Sequence, residues 1–168
     1  MILEHILYEF IMYLESRKLW IYYSNKLKTQ NNNNSLVLHN NMALECCNLH
    51  ARNLLDFFLK RYEIAKKTDV FFDDIISYSN KSIEIEYKSM EFERKAINSS
   101  ISHISLNRLE PDAKENYAKA NDTIYNALHN SIALFLQELN IFSINPKYID
   151  ELSDPEIMQM IIYVKSLL

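Results

Sequence analysis

The chain contains no glycine in 168 residues, where average usage would supply about a dozen. Glycine lets the backbone approach a phosphate closely and take positive φ without a steric penalty. Its absence excludes a P-loop and a GxGxxG dinucleotide turn, and it excludes a GxSxG nucleophile elbow. Tight type I′ and II′ hairpins, which lean on glycine, become unfavourable for the same reason. Helices are the architecture least harmed, because asparagine can take the left-handed position that ends a helix. Asparagine is abundant here, and Asn140 stands where it can do so. A glycine-free chain rich in Asn and Ile also fits a low-GC genome.

A chain of this length sits within the range of one domain and buries roughly 70% of its unfolded surface. No repeat and no linker divides it, so residues 1–168 read as a single helical-bundle domain. The net charge of −4 excludes a general basic coat, so any nucleic-acid contact must be local. The two cysteines are the neighbours Cys46 and Cys47. Adjacent residues on a helix point about 100° apart, so they form neither a disulfide framework nor a CxxC metal knuckle. They read as small buried hydrophobes. The opening MILEHILYEF carries Glu4, His5 and Glu9 within its apolar stretch, and it lacks the basic start and cleavage site of a signal peptide. No apolar run approaches the roughly 18 residues of a membrane span. The expected setting is cytoplasmic, with no membrane contact.

Periodicity predicts an all-α fold, an up-down four-helix bundle with additional short and C-terminal helices. The first helix spans 2–28, with Leu3, Leu7, Phe10, Leu14 and Ile21 on one stripe and Ile2, Ile6, Tyr13, Trp20 and Leu27 on the next. Gln30 to Ser35, with its four consecutive asparagines, reads as a mobile polar loop without chemistry. A second helix runs from about Asn41 to Arg61. Ala43, Cys47, His50, Leu54 and Phe57 share one side of it, while Leu55 and Leu59 are apolar on the other. A helix apolar on two sides is central or lies at a subunit interface; together with the resemblance given below it leads to the expectation of a homodimer. Val70-Phe71-Phe72 reads as an apolar plug over the bundle. A third helix covers about 80–108, and Pro111 stops it. Asp112 with Glu115 fits a capping box opening a fourth helix to about Asn140. Its stripe is Tyr117, Ile124, Leu128, Ile132, Phe135 and Leu139. Asn145-Pro146 and Asp154-Pro155 each read as an N-cap followed by proline at the first helical position.

Two segments are polar where a plain core helix would not be. The first is His50-Ala51-Arg52-Asn53-Leu54-Leu55-Asp56-Phe57-Phe58. Arg52 and Asp56 have the spacing of an i,i+4 ion pair, and His50 has the placement of a buried, hydrogen-bonded imidazole. The second runs from Arg94 through Ile97, Asn98 and His103 to Arg108. Arg94 and Arg108 project near the stripe of Ile97, Ile101 and Ile104, where a charge needs a partner. His103 lies off that stripe, on the side of Ser100 and Asn107.

The HARNLLDFF run at 50–58 and the run carrying Ile97, Asn98, His103 and Arg108 resemble segments of uncharacterised bacterial helical proteins of HEPN-like type. That superfamily comprises helical bundles that bind nucleotides or cleave RNA, often as dimers. The resemblance implies RNA or nucleotide binding, and a metal-independent endoribonuclease of toxin or defence type. His103 would be the general acid or base and Arg94 or Arg108 would stabilise the phosphorane. Asn98, His50, Arg52, Asn53 and Asp56 would contact the ligand, with no metal and no cofactor. The family's nucleases place an Arg a few residues before the His. Here Asn98 occupies that region and Arg94 stands farther upstream.

Two other classes fit the residues. A non-catalytic helical dimerisation or interaction module would use both polar segments to set helix register. An all-α nucleotide pyrophosphohydrolase would hold Mg²⁺ on Glu84, Glu86, Glu91 and Glu93, although these lack the ExxE spacing that puts two carboxylates on one face. Glu4, His5 and Glu9 form a weaker set of metal-type side chains without a second cluster.

Overall fold

The structure, a computed structural model, describes residues 1–30, 33–58, 70–77, 97 and 113–168, the side chains of 113–121 excepted. Among them all regular structure is helical, apart from one bridge between Ile76 and Ile144. The order is α1 (Ile2–Thr29), α2 (Asn34–Phe58), α3 (Phe72–Ile75), α4 (Ala113–Glu138), a 3₁₀ turn (Pro146–Tyr148), α5 (Ile149–Leu152) and α6 (Pro155–Leu167).

In α1 the apolar residues recur at helical spacing, so Leu3, Ile6, Leu7, Phe10, Tyr13 and Leu14 are all buried. Its first turn leaves backbone donors without intrahelical partners. The Leu3 N–H is satisfied by Glu151 Oε2 of α5 at 2.8 Å. Past Arg17 the stripe surfaces. Ile21, expected inside, is exposed together with Leu19 and Tyr22. At that level α1 engages His39 and Asn40, in the early turns of α2.

The second helix begins earlier than its apolar pattern suggests. Asn33 Oδ1 accepts from the N–H groups of Ser35 and Leu36, at 3.1 and 3.2 Å. This is the N-cap geometry for which asparagine is suited. Asn33 and Asn34 therefore start a helix instead of continuing a loop, and Leu36 to Asn40 become helical although most of them are exposed. Residues 31–32, in the middle of the expected loop, lie outside the described residues.

In α4, Ile124, Leu128, Ile132 and Phe135 form the buried stripe, with Leu139 just beyond. Asn140 stands just past the end of this helix, where its side chain organises the turn. Its Oδ1 accepts from the N–H groups of Phe142 and Ser143, at 3.0 and 3.2 Å. Both proline starts form as expected. Asn145 Oδ1 accepts from Lys147 N–H at 3.1 Å, and Asp154 Oδ1 from Glu156 N–H at 2.8 Å.

α1 packs along α2 and, on another side, against α6, while α4 lies against α2. At the centre Phe10, Phe57, Phe58, Phe72 and Phe135 meet with ring centroids 4.9–6.2 Å apart. Such pairs add about 0.5–1.5 kcal/mol each beyond area burial. Phe71 and Phe72 are buried, so the plug over the bundle is present. It is tied to the turn after α4 by Asn145 N–H to the Ile75 carbonyl, at 2.7 Å, and Ser77 N–H to the Ser143 carbonyl, at 2.9 Å. Of the third expected helix only Ile97 is described; it is helical and buried. Among the described residues no helix is long and apolar enough to cross a membrane.

Candidate functional site

α1 and α2 are antiparallel neighbours. Glu9 faces His50 and Asn53 near one end of the pair, and Ser24 faces Asn40 near the other. Two polar clusters lie along this seam.

The first cluster opens to solvent. His50 follows Cys47 by three positions on the inner side of α2, so its ring is carried toward α1 and buried. Glu9 flanks the apolar stripe of α1 and stays partly exposed. Its Oε2 accepts from His50 Nδ1 at 2.8 Å. An ionised carboxylate only accepts, so Nδ1 carries the proton of this contact and Nε2 faces away from it. Asn53 Nδ2 donates to both Glu9 oxygens, each at 3.2 Å. The Tyr8 ring meets the imidazole edge-on, with centroids 6.0 Å apart. A carboxylate therefore sets the tautomer and orientation of the histidine, and Nε2 holds no hydrogen bond among the described residues. Such an imidazole keeps one ring nitrogen through which it can hydrogen-bond a ligand.

The second cluster lies deeper, sealed except at its rim. Arg17 is only 7% exposed. Its guanidinium donates to Asp122 Oδ1 at 2.8 Å, and lies 4.0 Å from the Tyr125 ring centroid and 5.5 Å from that of Trp20. Aromatic faces suit arginine better than lysine, because the guanidinium is planar and weakly hydrated. Tyr13, Ser16 and Cys47 surround it. Burial holds the Tyr13 hydroxyl well above its usual pKa, the nearby Cys47 adds to that shift, and Arg17 opposes it. Burial also pushes the Cys47 thiol up to about 12, against the opposing pull of Arg17 and a hydrogen bond with Ser16. A thiol held neutral is a poor nucleophile, so Cys47 behaves as the buried hydrophobe its spacing predicts.

The expected ligand contacts separate on this geometry. His50 and Asn53 converge on Glu9. Arg52 and Asp56 are half-buried and project from α2 on other bearings, about 100° and 60° from Asn53. The expected catalytic residues His103, Arg94 and Arg108, together with Asn98 and the Glu84, Glu86, Glu91 and Glu93 patch, lie outside the described residues. Among the described residues no three His, Cys, Asp or Glu side chains are grouped to hold a metal. Glu4 pairs instead with the N-terminal amine at 3.6 Å, and Glu9 is taken by His50.

Sequence reasoning missed the link between Glu9 and His50. The signal is a carboxylate bordering the α1 stripe and a histidine inside the α2 stripe, and only the helix register pairs them. Arg17 was also missed. It continues the run Phe10, Tyr13 and Leu14 at helical spacing, which marks a charge inside the apolar face. Compared with protein-family models, with curated proteins and with solved structures, the chain matches none.

Proposed function

We propose that this chain binds RNA or a nucleotide at the solvent edge of the α1–α2 seam, through His50 and Asn53, as the HEPN-like resemblance implies. The observation that carries the reading is the carboxylate-oriented His50, with Nδ1 committed to Glu9 and Nε2 left for a ligand. The rest of the proposal follows the same resemblance. The fold is an up-down four-helix bundle whose third long helix covers about 80–108, in a cytoplasmic bacterial protein. His103 on that helix moves protons during RNA cleavage. It takes the 2′-OH proton, the 2′ oxygen forms a bond to phosphorus, and the bond from phosphorus to the 5′ oxygen breaks. A proton returned to that oxygen completes the step. Arg94 or Arg108 stabilises the charge on phosphorus. No metal takes part.

The test is incubation of the purified chain with mixed RNAs and with nucleoside triphosphates, with and without EDTA, beside the variants His50→Gln, Asn53→Ala and His103→Ala. Micromolar binding that falls at least tenfold in His50→Gln and Asn53→Ala supports the reading. Cleavage that survives EDTA and is lost in His103→Ala supports its catalytic form. A folded chain that neither binds nor cleaves any of these ligands overturns it. The second reading, a helical interaction module, then takes its place. It is favoured by the exposed apolar residues Leu38, Met42 and Leu49 along α2.

A further inference from the structure

The groups gathered around Glu9 define what kind of ligand atom the open cluster takes. The Glu9 side chain is 26% exposed, so it borders the site together with Asn53. A carboxylate only accepts hydrogen bonds. The atom of Asn53 that lies 3.2 Å from both its oxygens is therefore the amide nitrogen, and the amide oxygen is directed away from the carboxylate. His50 holds Glu9 from the other side, with Nδ1 donating at 2.8 Å. Two kinds of acceptor thus face a ligand, the Glu9 carboxylate and Asn53 Oδ1. Neither residue has a further hydrogen bond among the described residues.

Tyr8, the neighbour of Glu9, adds an aromatic ring. It is exposed and meets the His50 ring edge-on, with centroids 6.0 Å apart. Four other charged or titratable groups stand near this end of the seam. Glu4 pairs with the N-terminal amine at 3.6 Å. His5 is exposed one turn before Glu9, about 40° around α1. Arg52 and Asp56 project from α2 on other bearings, half-buried. A phosphate placed at Glu9 would face a carboxylate, whereas a neutral N–H donor finds acceptors there.

We propose that the cluster reads the base of its ligand, taking a nucleobase with an exocyclic amino group, as in cytosine or adenine. A base with a keto oxygen in that place, as in uracil, is disfavoured. The inference rests on the RNA or nucleotide reading and deepens it. The base lies against the Tyr8 ring, and this stacking gives affinity without selecting among bases. The amino group donates one N–H to Asn53 Oδ1 and the other to the Glu9 carboxylate, and this gives the selectivity. Asparagine with adenine and carboxylate with cytosine are pairings that discriminate bases in nucleic-acid recognition. A keto oxygen instead sets lone pairs against lone pairs and leaves the acceptors unpaired.

Titration calorimetry of the full chain compares ligands that differ at this group. One pair is short oligocytidylate and oligouridylate of equal length; the other is adenosine and inosine 5′-monophosphate. The amino member of each pair is expected to bind at least about fivefold more tightly. Glu9→Gln places an amide where the carboxylate stood, and an amide can donate to a keto oxygen. The preference is expected to narrow toward equal binding in Glu9→Gln and in Asn53→Ala, with unchanged helical circular dichroism. Binding without an amino preference, or a preference that survives both variants, overturns this inference and leaves the nucleotide reading standing. If none of the four ligands binds, the nucleotide reading falls and this inference falls with it. Arginine amide, a cation with N–H donors and no base, is the control. If it binds and the nucleotides do not, the cluster recognises charge and the inference is overturned.

Discussion

The two polar clusters on the α1–α2 seam are built from the same pair of helices, yet they do opposite things with charge. At Glu9–His50–Asn53 the carboxylate keeps contact with water, and a histidine nitrogen remains unengaged among the described residues. At Arg17 the guanidinium is stacked on aromatic rings and tied to Asp122, while the thiol and phenol around it are held neutral by burial. The difference is one of depth. Glu9 sits at the margin of the α1 stripe, whereas Arg17 sits within it. Water screens and solvates the first cluster, so its groups stay open to a ligand. At the second, the buried guanidinium needs partners where it lies, because an uncompensated buried charge costs several kcal/mol, and Asp122 holds it from the exposed rim. The open cluster is therefore the candidate for chemistry and the sealed one is a stability element.

The largest expected effect tests the sealed side. Arg17→Ala should lose about 2–4 kcal/mol of unfolding free energy in urea, from lost packing against Tyr125 and Trp20 and the void left behind. A loss under about 1 kcal/mol would show that the cluster does not hold the helices together, and the contrast with the open site would collapse. His50→Ala should cost less, about 1–3 kcal/mol, because it leaves a smaller void and removes the partner of a carboxylate that water can still solvate. A double-mutant cycle with Glu9→Gln should return a coupling of at least about 0.5 kcal/mol. Additive losses would mean the 2.8 Å contact contributes nothing in solution.

The pH dependence sharpens the same comparison. Cys47 has its folded pKa raised by burial from 9.0 to about 12, so above pH 9 the folded state retains a proton that the unfolded chain loses. Its contribution is fully present below pH 9 and is lost as pH rises toward 12, by about 1 kcal/mol at pH 10. Thermal melts of the wild type and Cys47→Ala should keep a constant offset below pH 9, and the wild type should lose stability relative to the variant above it. Curves that stay parallel above pH 9 would remove the burial argument. The smallest effect belongs to Asp122→Asn. The Asp122 side chain is 70% exposed, so despite its hydrogen bond to Arg17 the loss should stay below about 1 kcal/mol. A larger loss, read from the same urea titrations, would mean that Arg17 depends on its carboxylate more than on its aromatic neighbours.

Several details of the fold stand on local rules and were therefore legible along the chain. The caps at Asn145 and Asp154 need only a side-chain oxygen and a following proline. The α4 stripe from Ile124 to Leu139 needs only its spacing. The start of α2 was misjudged because apolar periodicity is weak at Leu36 to Asn40, and a run of asparagines resembles a loop until one of them is seen accepting two backbone N–H groups. Ile21 was placed inside because helical spacing says which residues share a face, not how far along the helix that face stays covered.

By itself, the sequence determined a predominantly helical chain, the span of α1, the proline-marked starts at Pro146 and Pro155, much of the inward faces of α1, α2 and α4, and the buried hydrophobic place of Cys47. These follow from glycine's absence, from 3.6-residue periodicity and from capping chemistry, all of which act within a few residues. Only the tertiary structure decided that Glu9 orients His50, that Arg17 lies between Tyr125 and Trp20, and that Tyr8, Leu19, Met42 and Leu49 share one solvent face. Each of these depends on the register between helices, which is set by packing among side chains far apart in sequence. A shift of one turn along α2 would replace His50 opposite Glu9 with Leu54 or Cys46.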